Sequence, residues 1–313
     1  MELVSRGSVK NMNARSAVLP NLIVAGVNKA GTTSIFEYLA RHPKVCVSSV
    51  KETCYFLPLR YKGGKMQDIS RYESLFARCS KEKPIVMEAT PGYFYGGANL
   101  ATGIRDVIPN VKIVILLRDP AARCVSFFTF MKSMLLLDSQ MSFASYVERC
   151  QSLSSHDLQQ EKNNPYFGLE GGFYNKYIYD WFDVFGPNIK IIFFEDLKGS
   201  PRQVMEDLCA WLEINGDFFQ SFDFSIANQT AYFKYRWLHG VAIAVNRSFE
   251  NFFRRHPLVK QAIKKMYARF NLQAINKNEI DWGALRAQYR ESNRELAEFL
   301  ISRGYTKLPS WLV

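Results

Sequence analysis

The sequence predicts an α/β fold, a parallel sheet flanked by helices with a mostly helical C-terminal part, and three observations support this. Short β-rich runs alternate with helical patterns through the first two thirds of the chain, as βαβ units require. A glycine-bounded loop joins the first β-rich run to the first helical pattern. After Phe224 the strand signals stop and the remainder reads as helical and basic.

Strands are expected at Leu22–Ala25, Val45–Ser48, Ile85–Glu88, Lys112–Leu117 and Lys190–Phe194, each a short run rich in β-branched residues. Two helix starts are marked by a capping residue before a proline, Asp119-Pro120 and Ser200-Pro201. Tyr174, Tyr177, Ile178, Trp181, Phe182 and Phe185 recur at helical spacing and predict one wide apolar face turned to the core. From Asp138 to Pro165 the chain turns polar and irregular, which predicts a surface excursion over 139–165. Arg254, Arg255, Lys260, Lys264, Lys265 and Arg269 form a basic cluster that reads as a solvated helix face or a polyanion site. A last helix is expected from about Trp282 to Gly304. The organisation is thus a flexible arm over 1–18 and a single α/β domain over 19–313, of which 225–313 is mostly helical.

A chain of 313 residues can bury a sizeable core without staples. Lys and Arg total 40 against 29 Asp and Glu, and the resulting +11 favours anionic partners. The six cysteines show no CxxC pair, so they read as reduced structural thiols, and four scattered histidines offer no metal set. The N-terminal stretch lacks an apolar signal core, and the longest apolar runs, such as Trp237 to Val245, are too short to span a bilayer. A cytoplasmic protein without a membrane span is expected.

The first chemical signal is Gly26-Val27-Asn28-Lys29-Ala30-Gly31-Thr32-Thr33-Ser34, set between a strand and a helix. In that context backbone N–H groups and the helix dipole hold phosphate, so a P-loop-like sheet is expected. The spacing of Gly26 and Gly31 matches the Walker loop of nucleoside triphosphatases, but Thr32 and Thr33 stand where that motif needs Lys and Ser/Thr. The lysine sits inside the loop instead, at Lys29, where it can reach the bridging oxygen of a bound anhydride. A second signal follows the strand Lys112–Leu117, where Arg118 ends the strand and Ser126 lies seven positions beyond Asp119, about two helical turns. Arg118 and Ser126 can converge on one anion at the carboxyl edge of the sheet, where open α/β sheets bind ligands. Two other readings of these residues stay open: Arg118 paired with a neighbouring carboxylate, and Asp119 as a magnesium ligand.

At these two motifs the chain resembles the PAPS-dependent sulfotransferase family, whose donor is 3′-phosphoadenosine 5′-phosphosulfate (PAPS). Its 5′-phosphosulfate loop is similar to residues 26–34, and its 3′-phosphate element to Leu117-Arg118-Asp119-Pro120 with Arg123 and Ser126. Lys51-Glu52-Thr53-Cys54-Tyr55-Phe56 and Glu88-Ala89-Thr90-Pro91-Gly92-Tyr93 extend the resemblance toward the branch of heparan-type and bacterial sulfotransferases. The resemblance implies Glu52 as general base and Lys29 as the group stabilising the leaving oxygen. It further implies that Lys29, Ala30, Gly31, Thr32, Thr33, Ser34, Arg118 and Ser126 bind the donor, with Lys234 and Arg236 the nearest counterparts of a further basic loop. Two positions depart from the heparan-type pattern: Ala89 stands where those enzymes carry lysine, and Cys54 where histidine is common.

The implied reaction is sulfuryl transfer from PAPS to a hydroxyl or amine of a small-molecule or carbohydrate acceptor. PAP, adenosine 3′,5′-bisphosphate, is then the product, and neither a metal nor nucleic acid is required. An ATP- and magnesium-dependent P-loop kinase and a non-enzymatic polyanion binder are the alternatives. Oligomeric state is not legible. Tyr55, Phe56, Tyr93, Phe94, Tyr95 and Phe173 read equally as walls of an acceptor cleft or as core.

Overall fold

A computed structural model describes residues 18–80, 82–138, 140–224 and 280–313 in full, and the backbone of 232–233 and 272–273. Five strands, β1 (Leu22–Gly26), β2 (Val45–Val47), β3 (Ile85–Ala89), β4 (Lys112–Leu117) and β5 (Ile189–Phe193), pair in parallel in the order β2-β3-β1-β4-β5. All five residues of β1 are buried, as are all five of β3, because helices cover both faces of the sheet. In register, Leu22 faces Met87 on one side and Lys112 on the other. The loops leaving β1, β3 and β4 therefore emerge at one edge. The chain turns from β1 to one side of the sheet and later returns to the other, which makes this edge a topological switch point.

The helices are α1 (Thr32–Arg41), α2 (Ile69–Ser74), α3 (Gly97–Val107), α4 (Pro120–Ser133), α5 (Phe143–Gln151), α6 (Ser155–Leu158), α7 (Asn175–Phe185), α8 (Phe194–Gly199), α9 (Pro201–Trp211), α10 (Trp282–Ala287) and α11 (Arg290–Ser302). In α7 the expected apolar face is core: Ile178, Trp181, Phe182 and Phe185 are buried, and Trp181 Nε1 donates to the Phe94 carbonyl at 2.9 Å. Asp119 caps α4, its Oδ1 accepting from the N–H groups of Ala121 and Ala122. Such a cap is worth about 1 kcal/mol.

Several expectations need correction. Ser200 makes no side-chain cap, because it also closes α8, its N–H donating to the Asp196 carbonyl at 2.7 Å. The polar stretch 139–165 is not irregular: it carries α5 and α6, whose Ser142 and Ser154 caps compensate for weak apolar periodicity. The last helix is two, α10 and α11, and Gly304 follows the second with a left-handed φ of 89°. Strands do occur beyond Phe224, since Tyr232–Phe233 (β6) and Leu272–Gln273 (β7) pair antiparallel, but two residues are too short to show alternation. The basic cluster from Arg254 to Arg269 lies outside the described residues, as does the N-terminal arm up to residue 17.

Cys46 and Cys79 are not reduced thiols. They form a disulfide between β2 and the turn after α2, with Cα atoms 5.7 Å apart. A separation of 33 residues carries no sign of this pairing, which only the docking of α2 beside β2 creates. Cys54, Cys124, Cys150 and Cys209 are free. Thiol titration of the denatured, unreduced protein is expected to count four sulfhydryls, rising to six after reduction; six without reductant would refute the bridge.

Candidate functional site

Both glycines of the first loop are demanded by packing. A Cβ at Gly26 would stand 2.6 Å from Phe94 Cβ, and Gly31, at φ 90°, starts α1 pressed against Leu197 and Phe194. The loop between them is anchored on β4, where Val27 N–H donates to the Leu116 carbonyl at 2.9 Å. Thr32 and Thr33 open α1, so their N–H groups have no intrahelical acceptor and point toward the sheet edge with the positive end of the helix. Thr32 is buried, whereas Thr33 and Ser34 are half-buried and Ala30 packs in the core.

Arg118 leaves β4 and folds back over this loop. Its Nη1 donates to the Lys29 carbonyl at 2.9 Å, and its guanidinium lies 4.4 Å over the Phe194 ring. The reading of Arg118 as a carboxylate partner is thus not what holds it. The Lys29 ammonium lies 4.3 Å over the ring of Phe130, one turn beyond Ser126 on α4. Ala122, Ser126 and Phe130 form the partly open stripe of a helix whose other faces are buried. Lys29 and Arg118 therefore meet at the loop, and Lys29 reaches the partly open stripe of α4 that carries Ser126. Arg123 is fully buried and bonds to the Gly168 carbonyl and, at 3.5 Å, to the Tyr95 hydroxyl.

Burial and the neighbouring Arg118 charge lower the Lys29 pKa to about 8, while Glu52 opposes them. The coupling places Glu52 within electrostatic reach of the loop. Glu52 follows β2, its N–H donating to the Ala89 carbonyl at 3.0 Å, and its Oε1 accepts from Lys51 Nζ at 2.7 Å. Its side chain is 51% exposed, so solvent and a second substrate can reach it. Both Glu52 and Cys54 hold left-handed backbone, φ 64° and 56°. Non-glycine residues adopt that conformation only when their surroundings impose it.

Close to this segment lies a group that sequence reasoning did not single out, the carboxylate of Glu88, buried at the end of β3. Thr53 Oγ1, Tyr72 OH, Thr90 Oγ1 and Tyr93 OH donate to it at 2.6, 2.7, 2.9 and 3.2 Å. Burial raises its pKa, and these four hydroxyls hold the rise in check. Phe130 and Phe194 were also missed; the position of Phe130 four residues after Ser126 was the available signal. Among the aromatics, Phe56, Tyr93, Phe94 and Tyr95 are core, Tyr55 stacks on Tyr72 at 4.5 Å, and Phe173 lies against Tyr289. Lys234 and Arg236 lie outside the described residues. Asp119 is committed as a cap, and its Oδ2 meets Arg286 of α10 at 3.4 Å, which leaves the magnesium-ligand reading little support.

Comparison with known proteins finds sulfotransferases. The sulfotransferase domain profile matches residues 105–256. Over 213 residues the chain is 26% identical to the bifunctional heparan sulfate N-deacetylase/N-sulfotransferase 1 of Caenorhabditis briggsae, covering 65% of this chain and 24% of that one. Over 116 residues it is 34% identical to the heparan sulfate glucosamine 3-O-sulfotransferase 3B1 of Mus musculus, covering 37% and 28%. A sulfotransferase of Alicyclobacillus acidocaldarius superposes with a TM-score of 0.59 at 25% identity, covering 68% of this chain and 87% of that one. Over these stretches the chain is similar to sulfotransferases. It spans about a quarter of the length of the curated relatives it matches.

The electrostatic convergence is testable without any ligand. With lysine side chains observed by NMR, Lys29 is expected to titrate near pH 8. Glu52→Gln should move that titration lower by removing a charge that raises it, and Arg118→Met should move it higher. Insensitivity to both would mean that the three side chains do not share one site.

Proposed function

We propose that this chain is a PAPS-dependent sulfotransferase that places a sulfuryl group on a hydroxyl or amine of a carbohydrate or small-molecule acceptor. The observation that carries this reading is the desolvated ammonium of Lys29, held beside Arg118 at a helix N-terminus and within reach of an exposed carboxylate. A bisanionic donor suits that donor set. A lysine kept largely out of water gains most when an anion arrives, and the N–H groups opening α1 face the same place. The residues fit PAPS as follows: Lys29 and the loop from Ala30 to Ser34 would hold the 5′-phosphosulfate. Arg118 and Ser126 would hold the 3′-phosphate, and Lys234 and Arg236 are candidates to add to it.

In the proposed reaction Glu52 takes the proton of the acceptor hydroxyl or amine as its oxygen or nitrogen bonds to sulfur. The bond from sulfur to the bridging oxygen breaks, and PAP leaves with the electron pair. Lys29 and the loop N–H groups stabilise the charge growing on that oxygen; donors of this kind supply on the order of 2.7–4 kcal/mol each in other enzymes. Lys51 Nζ donates to Glu52 Oε1 at 2.7 Å and so fixes one oxygen of the proposed base. The heparan sulfate acceptors named for the relatives make carbohydrate the first class to test. For cellular location, the Cys46–Cys79 bond favours an oxidising compartment over the cytoplasm expected from sequence.

Radiolabelled PAPS incubated with pooled heparan-type oligosaccharides, phenols and metabolites is expected to yield a labelled product. Lys29→Ala and Glu52→Gln should each abolish it, while Glu52→Gln retains PAP affinity by calorimetry. Thermal stabilisation by PAP without magnesium agrees with the reading, whereas stabilisation by ATP with magnesium alone would replace it with a kinase. PAP affinity should fall as pH rises through about 8, where free Lys29 loses its proton, and that fall should vanish in Lys29→Ala.

A further inference from the structure

We propose that Glu88 is a positioning residue which, through a shell of hydroxyls, holds residues 52–56 in the strained backbone that presents Glu52 to the candidate site. The inference rests on the reading of Glu52 as the general base. Glu88 itself cannot touch a substrate, because its side chain is fully enclosed.

The shell works in two layers. In the inner one, Thr53, Tyr72, Thr90 and Tyr93 each donate an O–H to the Glu88 carboxylate. In the outer one, the oxygens of three of these hydroxyls accept from successive N–H groups of the loop: Cys54 N–H to Thr90 Oγ1 at 3.3 Å, Tyr55 N–H to Thr53 Oγ1 at 3.5 Å, and Phe56 N–H to the Tyr93 hydroxyl at 3.3 Å. A hydroxyl that donates to a carboxylate becomes a better acceptor, so one buried charge strengthens all three loop contacts. The turn they hold has left-handed backbone at Glu52 and Cys54, either side of Thr53, a conformation that persists in non-glycine residues only when the surroundings over-determine it. The arrangement is also tied to the phosphate loop. Thr90 N–H donates to the Val24 carbonyl at 3.2 Å, two residues before Gly26.

A buried carboxylate is costly in a fold. Packing alone would be served as well by an apolar residue at position 88, whereas four hydroxyls converging on one charge define the orientation of the loop above. Glu88 therefore acts on kcat through the placement of Glu52, not on donor binding.

Cys54 is a built-in reporter. Among the described residues it is the free cysteine whose surface is exposed, while partial desolvation of its sulfur by the surrounding protein, together with the charges of Glu52 and Glu88, pushes its pKa up to about 11. The test compares wild type, Thr53→Val, Thr53→Ser and Glu88→Gln. Thr53→Val removes one donor while leaving the Glu88 charge in place, which keeps the experiment decisive even where Glu88→Gln fails to fold. Expected for Thr53→Val are a kcat for labelled-PAPS transfer lower by on the order of 10- to 100-fold, unchanged PAP affinity, and faster labelling of Cys54 by a disulfide reagent. Thr53→Ser should restore most of the lost kcat. Full kcat and unaltered labelling in folded Thr53→Val or Glu88→Gln would overturn the proposal, as would a loss confined to PAP affinity. Should wild type transfer no sulfuryl group, the base assignment falls, and the Cys54 labelling rates still decide whether Glu88 organises the loop.

Discussion

Parallel pairing of β1, β3 and β4 delivers three chain ends to one edge of the sheet, and the candidate site hangs from that edge. Gly26 begins the phosphate loop, Arg118 follows β4, and Glu88 to Thr90 close β3 beneath the segment that carries Glu52. Backbone bonds lock these ends together: Val27 to Leu116, Thr90 to Val24 and Glu52 to Ala89. Register thus sets the spacing of the functional groups before any side chain adopts a rotamer. Moving one strand by a residue would turn its side chains to the opposite face and dismantle the site.

Charge is organised around what that edge lacks. Lys29 and Arg118 are brought together and partly withdrawn from water; burial lowers the pKa of both, and the Arg118 charge lowers that of Lys29 further. Aromatic faces, Phe130 under Lys29 and Phe194 under Arg118, supply partial compensation without neutralising either cation. Two such cations at the N-terminus of α1 form a place where an anion relieves repulsion and desolvation at once. Glu52 stands nearby but remains accessible and paired to Lys51, so the two signs of charge are kept in separate parts of the same site.

Beneath lies a different polar design. Where the upper site keeps charge near solvent, Glu88 is sealed and surrounded by hydroxyl donors drawn from α2 and the segments that follow β2 and β3. A network of this kind gives direction, since its donors are satisfied in one arrangement of the loop. The disulfide from Cys46 to Cys79 adds a covalent tie between β2 and the turn after α2, the helix that supplies Tyr72.

Local patterns in the sequence determined the strand positions, the glycine-bounded loop, the capping of α4 by Asp119 and the apolar face of α7, because each depends on neighbours within a few residues. They also marked Lys29, Arg118 and Ser126, whose residue types suit anion chemistry, while Glu52 was marked only by the family resemblance. Tertiary structure alone decided that Arg118 turns back onto the Lys29 carbonyl, that Arg123 is sealed in the core, and that Cys46 meets Cys79. It alone showed that Glu88, an acidic residue in an apolar strand, accepts a hydrogen bond from Thr53, 35 residues earlier in the chain. These outcomes depend on contacts between distant segments, and side-chain direction at a strand end is set by the packing around it, which no short window of sequence contains.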